Sequence, residues 1–310
     1  MRFVTEAQAR ACVTLEKAID AVETAFCDVA EGSARSLPVV RQRLGNGVGT
    51  FGVKSGELDR YGLVGLKAGG YWPGNARNGV LTNHQSTSLL FNAATGQAVA
   101  CVEANWLTEA RTAAAGAVAI RALSRANSKA LGILGTGMQA RSQIEAAMAV
   151  RDIEIVRIWG RSEDQATALA TALSEAHPMI QFMLVDCEDV VRASDILITV
   201  TPSQQALFAA ECSPAGQHIN AMGADTVGKQ ELPVHLLDSS QLFYDDLDQS
   251  RTLGEFQRIG LQGDHSASLL DVLAGKLPGR RSDNERTIFD STGIAVQDLA
   301  VAGLVLLESD

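Results

Sequence analysis

Four side chains have types and settings that suit chemistry on a small anion. Lys67 closes an otherwise uncharged run, Gly62-Leu63-Val64-Gly65-Leu66-Lys67-Ala68-Gly69-Gly70. A buried ammonium is costly unless an anion meets it, whereas a strand ending at Leu66 would turn Lys67 to water; both readings stand at this point. Arg111 lies in Leu107-Thr108-Glu109-Ala110-Arg111-Thr112-Ala113-Ala114. Glu109, two positions earlier, does not face it on a helix, and the small neighbours suit a helix that approaches another body closely; a plain surface arginine would look the same. Arg41 shares one strand face with Arg43 while Val40 takes the other, so it serves a ligand or water. Asp225, in Gly223-Ala224-Asp225-Thr226-Val227-Gly228-Lys229, follows a buried run. Doubly wound sheets place ligands at the carboxyl ends of their strands, where a carboxylate acts as a general acid or base or merely caps a turn.

A second constellation concerns phosphate. The apolar run Ala130 to Leu134 meets Gly135-Thr136-Gly137-Met138-Gln139-Ala140, and Ser142 to Val150 then reads as helix. In a dinucleotide turn the first glycine makes the bend, the second lets backbone approach a pyrophosphate, and the third small residue, here Ala140, lets helix pack on strand. The N–H groups at the helix start, aided by the helix dipole, would point at phosphate oxygens. The run Ile153 to Trp159 follows at the distance a βαβ unit requires, which makes the glycine pattern more specific than it is alone.

The elements that must position these residues fall into two styles. Residues 5–29 read as one helix with Thr14 and Lys17 near a start, and residues 33–36 break it. Strands are expected at 39–44, 49–55, 63–68, 86–91 and 97–103, the last two as a hairpin across Asn92 to Gly96. A long Ala-rich helix, 107–126, leads into the glycine turn. Beyond it, strands at 153–159, 181–185, 196–200, 218–222 and 242–244 alternate with helices at 162–176 and 190–193, which argues for an α/β doubly wound parallel sheet over about 123–295. Thr201-Pro202-Ser203 follows one of these strands, where it could line a ligand cleft. Residues 275–285 read as an exposed loop. The final helix, 296–307, is apolar on several faces and must pack on a large partner, the first domain or a second subunit.

Bulk properties exclude several classes. A chain of 310 residues, 46% hydrophobic, holds about two cored domains. A net charge of −10 without a basic cluster argues against a nucleic-acid or anionic-membrane footprint. No run is long enough to span a bilayer and the first residues lack a signal-peptide core, so a cytoplasmic protein is expected. Five scattered cysteines, Cys12, Cys27, Cys101, Cys187 and Cys212, read as reduced core thiols. His84, His177, His218, His235 and His265 show no paired spacing, so they read as structural, and no metal is expected.

Taken in order, Lys67, the Arg111 segment, the Gly135 to Ala140 turn, Gly223-Ala224-Asp225 with Gly228-Lys229-x-Glu231-Leu232, and Asp290-Ser291-Thr292-Gly293-Ile294-Ala295-Val296-Gln297-Asp298 resemble the ornithine cyclodeaminase and mu-crystallin family over nearly the whole chain. The resemblance implies a Rossmann-type domain for NAD(P)(H) at 123–295. It also implies a smaller α+β substrate-binding and dimerisation domain at 1–122, completed by the helix at 296–310, and a homodimer. Arg41, Lys67 and Arg111 would bind a substrate carboxylate, as planar guanidinium groups do in two bonds; Lys67 and Asp225 would carry the chemistry. Gly135 to Ala140, Arg161, Ser162, Thr201, Ser203 and Gly293 would hold the cofactor. The loop Ala68-Gly69-Gly70-Tyr71-Trp72-Pro73-Gly74-Asn75 departs from the Asn-Gly-His-Pro pattern of cyclodeaminases and, with Asn83 to Thr87, is closer to the family's imine reductases (ketimine, pyrroline-carboxylate, iminosuccinate). The expectation is therefore an NAD(P)H-dependent reductase of a small α-imino acid, or the reverse dehydrogenase. Ornithine cyclodeaminase and a non-catalytic NADP(H)-binding crystallin-like protein are the alternatives. Trp159-Gly160-Arg161-Ser162 ends the second strand without the acid that NAD enzymes use for ribose hydroxyls, and an arginine there accommodates a 2′-phosphate, so NADP(H) is expected over NAD(H).

Overall fold

A computed structural model describes residues 1–307 apart from 46, 76–78, 80 and 260–265; His265 therefore lies outside the described residues. In chain order the elements are β1 (Arg2–Val4), α1 (Glu6–Cys12), α2 (Leu15–Glu31), β2 (Ala34–Ser36), β3 (Val40–Arg43), β4 (Thr50–Leu58), β5 (Leu63–Tyr71), β6 (His84–Asn92), β7 (Ala98–Glu103) and α3 (Asn105–Leu123). There follow β8 (Ala130–Leu134), α4 (Met138–Val150), β9 (Ile155–Trp159), α5 (Glu163–Ala176), β10 (Gln181–Leu184), α6 (Cys187–Arg192), β11 (Ile196–Thr199), β12 (His218–Ala221), α7 (Val234–Asp238), β13 (Gln241–Tyr244), α8 (Leu247–Thr252), β14 (Ser266–Ser268), α9 (Leu269–Leu273), β15 (Thr287–Asp290) and α10 (Ala295–Leu307). The chain separates into one unit made of Met1–Ala114 with Ile294–Asp310 and another made of Ala115–Gly293. Helix α3 runs through the first boundary unbroken, so no loop marks it in the sequence. No helix among the described residues is long and apolar enough to cross a membrane.

The first unit is a mostly antiparallel sheet in the order β1-β7-β6-β5-β4-β2, with β3 also on β4 and only β1 parallel to its neighbour. The single helix expected over 5–29 is two: Val13 turns extended and Thr14 caps a new start, its hydroxyl accepting from the Lys17 N–H at 3.3 Å. Residues 34–36, expected as a break, instead pair with the far end of β4. Helix α10 lies on one face of this sheet. Gly56 of β4 and Gly65 of β5 let it sit close: a Cβ on Gly56 would fall 3.3 Å from Ala295 Cβ, and one on Gly65 would fall 2.9 Å from Leu299 Cδ2. That close seat fixes where the first turn of α10 meets the strands.

The second unit is an all-parallel, eight-stranded sheet in the order β10-β9-β8-β11-β12-β15-β13-β14, the doubly wound class the sequence pattern indicates. Both faces are covered, as parallel sheets require: Leu131, Ile133, Val156 and Ile198 pack with Ile144 and Leu173 on one side, and Leu134, Leu197, Ile219 and Ile288 with Val190 and Leu236 on the other. Strand β15, missed in the sequence because a polar loop precedes its four residues, lies inside the sheet between β12 and β13. His218 is a core residue, its ring nitrogens 2.9 Å from Thr287 Oγ1 and Asn220 Oδ1. Burial first, and Arg280 second, push its imidazole down to about 3, so it stays neutral.

Candidate functional site

In the first unit, strand register brings three cations onto one face. Lys54 of β4 stands directly opposite Lys67 of β5, and Arg41 of β3 stands opposite Gly52, two residues from Lys54 and so on the same face. This is the face that α10 covers. The anion that Lys67 requires comes from that helix: Lys67 Nζ donates to Asp298 Oδ1 at 2.7 Å. From α3, Arg111 Nε approaches the same oxygen at 3.1 Å as an ion pair, and its Nη1 donates to Gln297 Oε1 at 2.9 Å. Lys67, Arg111 and Asp298 are all buried, at 7%, 8% and 4% exposure, which removes the reading of Lys67 as a strand-end residue in water and of Arg111 as a surface arginine.

The electrostatics are those of two cations sharing one acid. Burial, then Arg111, lower Lys67 to about 7 in spite of Asp298. Burial alone would raise Asp298, but Lys67, Arg111 and Lys54 together hold it below the usual carboxylate range. Asp298 Oδ2, Arg111 Nε and Gln297 Nε2 are buried without hydrogen-bond partners among the described residues, so the cluster has polar capacity to spare.

In the second unit, β8 runs into the glycine turn. Gly135 has φ of 123°, and a Cβ there would lie 2.6 Å from the Val200 carbonyl oxygen, so only glycine makes this bend. Gly137 is the N-cap of α4 and offers no side-chain acceptor to the first-turn N–H groups; the space where its Cβ would stand is open. Helix α4 therefore starts at Met138, four residues earlier than the sequence suggested, with an uncapped positive end. Such an end, reached by bare backbone, fits an anionic phosphate group. Ala140 is completely buried where α4 meets the sheet. At the end of β9, Arg161 is exposed and Ser162 caps α5, accepting from Gln165 N at 3.3 Å. Thr201 and Ser203 form a turn after β11, Ser203 N donating to Thr201 Oγ1 at 3.2 Å. Gly293 N donates to the buried Asp245 at 2.7 Å.

Asp225 follows β12, about one-third exposed, and its Oδ1 is 2.7 Å from Lys229 Nζ and 3.0 Å from Thr226 Oγ1. The loop that carries it is tied down by Glu231. That completely buried carboxylate accepts from Thr199 Oγ1 at 2.7 Å, Thr201 N at 2.5 Å and Gly223 N at 2.9 Å, so one side chain fixes the ends of both β11 and β12. Glu255 in turn accepts from the N–H groups of Glu231 and Leu232.

Sequence reasoning singled out Lys67, Arg111, Arg41 and Asp225 but not Asp298, Lys54 or Glu231. An aspartate inside an otherwise apolar terminal helix was the signal for Asp298. Lys54 had none, because its place depends on strand register, and Glu231 was visible only as part of a motif. No group of three or more His, Cys, Asp or Glu side chains suited to a metal ion occurs among the described residues.

The family model for the ornithine cyclodeaminase/mu-crystallin family matches residues 2–308. The iminosuccinate reductase of Paracoccus denitrificans is 39% identical over 99% of this chain and 96% of its own; its crystal structure in complex with NAD+ superposes with a TM-score of 0.89. An archaeal alanine dehydrogenase dimer with bound NAD is 35% identical, covers 98% of this chain and 94% of its own, and superposes at 0.92. The Thermococcus litoralis Δ1-pyrroline-2-carboxylate reductase in complex with NADH and L-proline is 26% identical, covers 100% and 97%, and superposes at 0.94.

Asp298→Asn should cost about 3–5 kcal/mol of stability, because it strands two buried cations. The midpoint and slope of chemical denaturation measure this; a variant as stable as the wild type would mean that Lys67 and Arg111 do not depend on that carboxylate.

Proposed function

The chain belongs to the ornithine cyclodeaminase/mu-crystallin family, and from that premise we propose that it is an NAD(P)H-dependent reductase of a small α-imino acid, or in reverse an amino-acid dehydrogenase. The observation that carries this reading is the buried Lys67–Asp298–Arg111 cluster, in which two cations share a single carboxylate. It has room, electrostatically, for a second one from the substrate. The names of the relatives, two imine reductases and an alanine dehydrogenase, support the same reaction class.

In this account the domain expected at residues 1–122 with 296–310, whose observed counterpart is the first unit, Met1–Ala114 with Ile294–Asp310, binds the substrate, and that expected at 123–295, observed as Ala115–Gly293, binds the nucleotide. Gly135 to Ala140 would hold its pyrophosphate, with Thr201, Ser203 and Gly293 further along it. Arg161, exposed at the end of β9 with no acid beside it in Trp159-Gly160-Arg161-Ser162, favours NADP(H) over NAD(H), although the solved relatives above carry NAD+, NAD and NADH. Ser162, already the cap of α5, would contribute from that position.

When bound, the nicotinamide supplies the hydride that Cα of the imine accepts. A proton joins the nitrogen, so C=N becomes CH–NH as NAD(P)H becomes NAD(P)+. Lys67, Arg111 and Arg41 hold the carboxylate and draw electron density from the adjacent carbon, and bidentate guanidinium contacts fix its plane. Asp225 holds or moves the proton at the substrate nitrogen, and Glu231 keeps its loop in place. Holding the imine in one orientation supplies much of the acceleration.

A homodimer fits as well. Phe3, Val40 and Phe51 are 59%, 58% and 41% exposed, and cross-strand register puts all three on the sheet face opposite Lys67, an apolar surface suited to a second copy.

Absorbance of reduced nicotinamide, followed with NADPH and NADH against a panel of imino acids and ornithine, tests the reading. Stoichiometric oxidation with an imino acid is expected. Ammonia release from ornithine without net oxidation would make the protein a cyclodeaminase, and nucleotide binding without turnover would make it a binding protein. Asp225→Asn should abolish turnover while leaving nucleotide binding nearly intact; unchanged turnover would remove Asp225 from the mechanism.

The pH dependence has a definite sign. Lys67 carries its proton below about 7 and gives it up above, so kcat/KM for a carboxylate substrate, which reports the free enzyme, should fall as pH rises through 7. That limb should flatten in Lys67→Met, and a wild-type profile flat from pH 6 to 8 would contradict the assignment.

A further inference from the structure

We propose that Asp290 holds a proton at neutral pH and, acting through Glu255 and Glu231, sets the position of the loop that carries Asp225. Its importance for turnover rests on the imine-reductase reading, in which Asp225 manages the proton at the substrate nitrogen. Asp290 ends β15 and is completely buried. Neither of its carboxyl oxygens has a hydrogen-bond partner among the described residues. The backbone at Gly254 stands hard against it, where a Cβ would collide with Oδ2. An ionised carboxylate in such a place, without donors or a cation, is prohibitively costly. The acid form removes that cost and supplies a donor. Ser250 Oγ, which lies near it and is also buried without a partner, can accept.

The charged groups that bear on Asp290 are all acids: Asp245 at the end of β13, Glu255 in the short 3₁₀ turn Glu255–Arg258, and Glu231 beyond Glu255. The other charged residues of α8 and of that turn, Asp248, Arg251 and Arg258, are exposed. Asp245 accepts from the N–H groups of Thr292 and Gly293. Glu255 and Glu231 accept from backbone N–H groups and one hydroxyl, with no cation partner among the described residues. Burial, with Asp245 adding to it, pushes Asp290 up to about 8, while the N–H groups of Glu255 and Phe256 and the Ser250 hydroxyl pull the other way without completing a hydrogen bond. Burial likewise raises Glu255 well above the usual carboxylate range, and Glu231 and Asp290 add to it. The link to the site is short. Glu255 holds the Glu231 N–H at 2.7 Å, and the Glu231 carboxylate holds Gly223 N, two residues before Asp225, at 2.9 Å. Loss of the Asp290 proton would set a bare carboxylate beside Glu255 and repel the group on which Glu231 rests.

Asp290→Asn, which keeps the shape and stays neutral, tests this. An unfolded aspartate ionises near 4, so between about pH 4 and 8 the folded chain keeps a proton that the unfolded chain has released, and stability falls as pH rises through that window. The melting temperature of Asp290→Asn relative to wild type should therefore climb from pH 5 to pH 8. A variant below wild type by the same margin throughout would overturn the protonated form. Hydrogen exchange of the amides of residues 223–229 reads the coupling: rates should match at pH 6.5, and at pH 9 the wild type should exchange at least about threefold faster than Asp290→Asn. A smaller difference would overturn the coupling. In the wild type alone, protection of this segment, corrected for intrinsic exchange, should fall by a similar factor between pH 6.5 and 9, so a variant that fails to fold leaves the inference open to refutation. With saturating imino acid and nucleotide, kcat of the wild type should drop above about pH 8 and that of Asp290→Asn should not, because kcat reports the bound complex. A wild-type kcat flat to pH 9 would overturn the link to turnover. Failure to turn over any imino acid would overturn the reductase reading, and the melting and exchange measurements would still decide this inference.

Discussion

Asp298 is a carboxylate that hardly reaches water, and the first unit is arranged around it. Its helix, α10, can lie close to the sheet only because Gly56 and Gly65 remove side chains from β4 and β5. That seat brings Asp298 to Lys67 at 2.7 Å and to Arg111 at 3.1 Å. Burying a charge alone is prohibitive and burying a pair is seldom a net gain, so such a cluster in a fold is better understood by what it does than by the stability it adds. An acid shared by two cations keeps both in place yet leaves each under-compensated, which is the state in which an incoming anion binds best.

The second unit solves the complementary problem of keeping backbone available. The bend at Gly135 and the uncapped start of α4 leave polar N–H groups without side-chain partners, a local cost that a phosphate group would offset. Rigidity comes from beside the turn rather than from within it. Glu231 joins the ends of β11 and β12 through three hydrogen bonds, although burial raises its own carboxyl against the pull of those donors. The loop bearing Asp225 thus has a fixed base and a partly exposed tip, where Asp225 pairs with Lys229.

Much of this was legible in the sequence where one local rule decides. The period of apolar residues gave the alternation of strands and helices after residue 123, the Gly135–Ala140 spacing gave the turn, and Asn92 to Gly96 gave a hairpin that the β6–β7 pairing contains. The buried lysine announced its need for an anion, but the anion's identity was a tertiary fact, set by a helix at the far end of the chain. Lys54 was invisible for a related reason: a one-residue change of register would put it on the opposite face. The break at Val13 was misread because a threonine cap overrides an apolar period that runs through it, and the strand at 34–36 because its edge pairing with β4 is a tertiary fact.

The central claim is that the Lys67–Asp298–Arg111 cluster binds the α-carboxylate of the substrate. Calorimetric titration of the protein, saturated with oxidised nicotinamide nucleotide, with the amino-acid product and then with its α-carboxamide tests it most directly. The account predicts that the carboxamide, which lacks the charge but keeps the shape, binds at least about 30-fold more weakly, in line with a charge-assisted contact of about 2 kcal/mol. Equal affinity of the two, within about threefold, would contradict it.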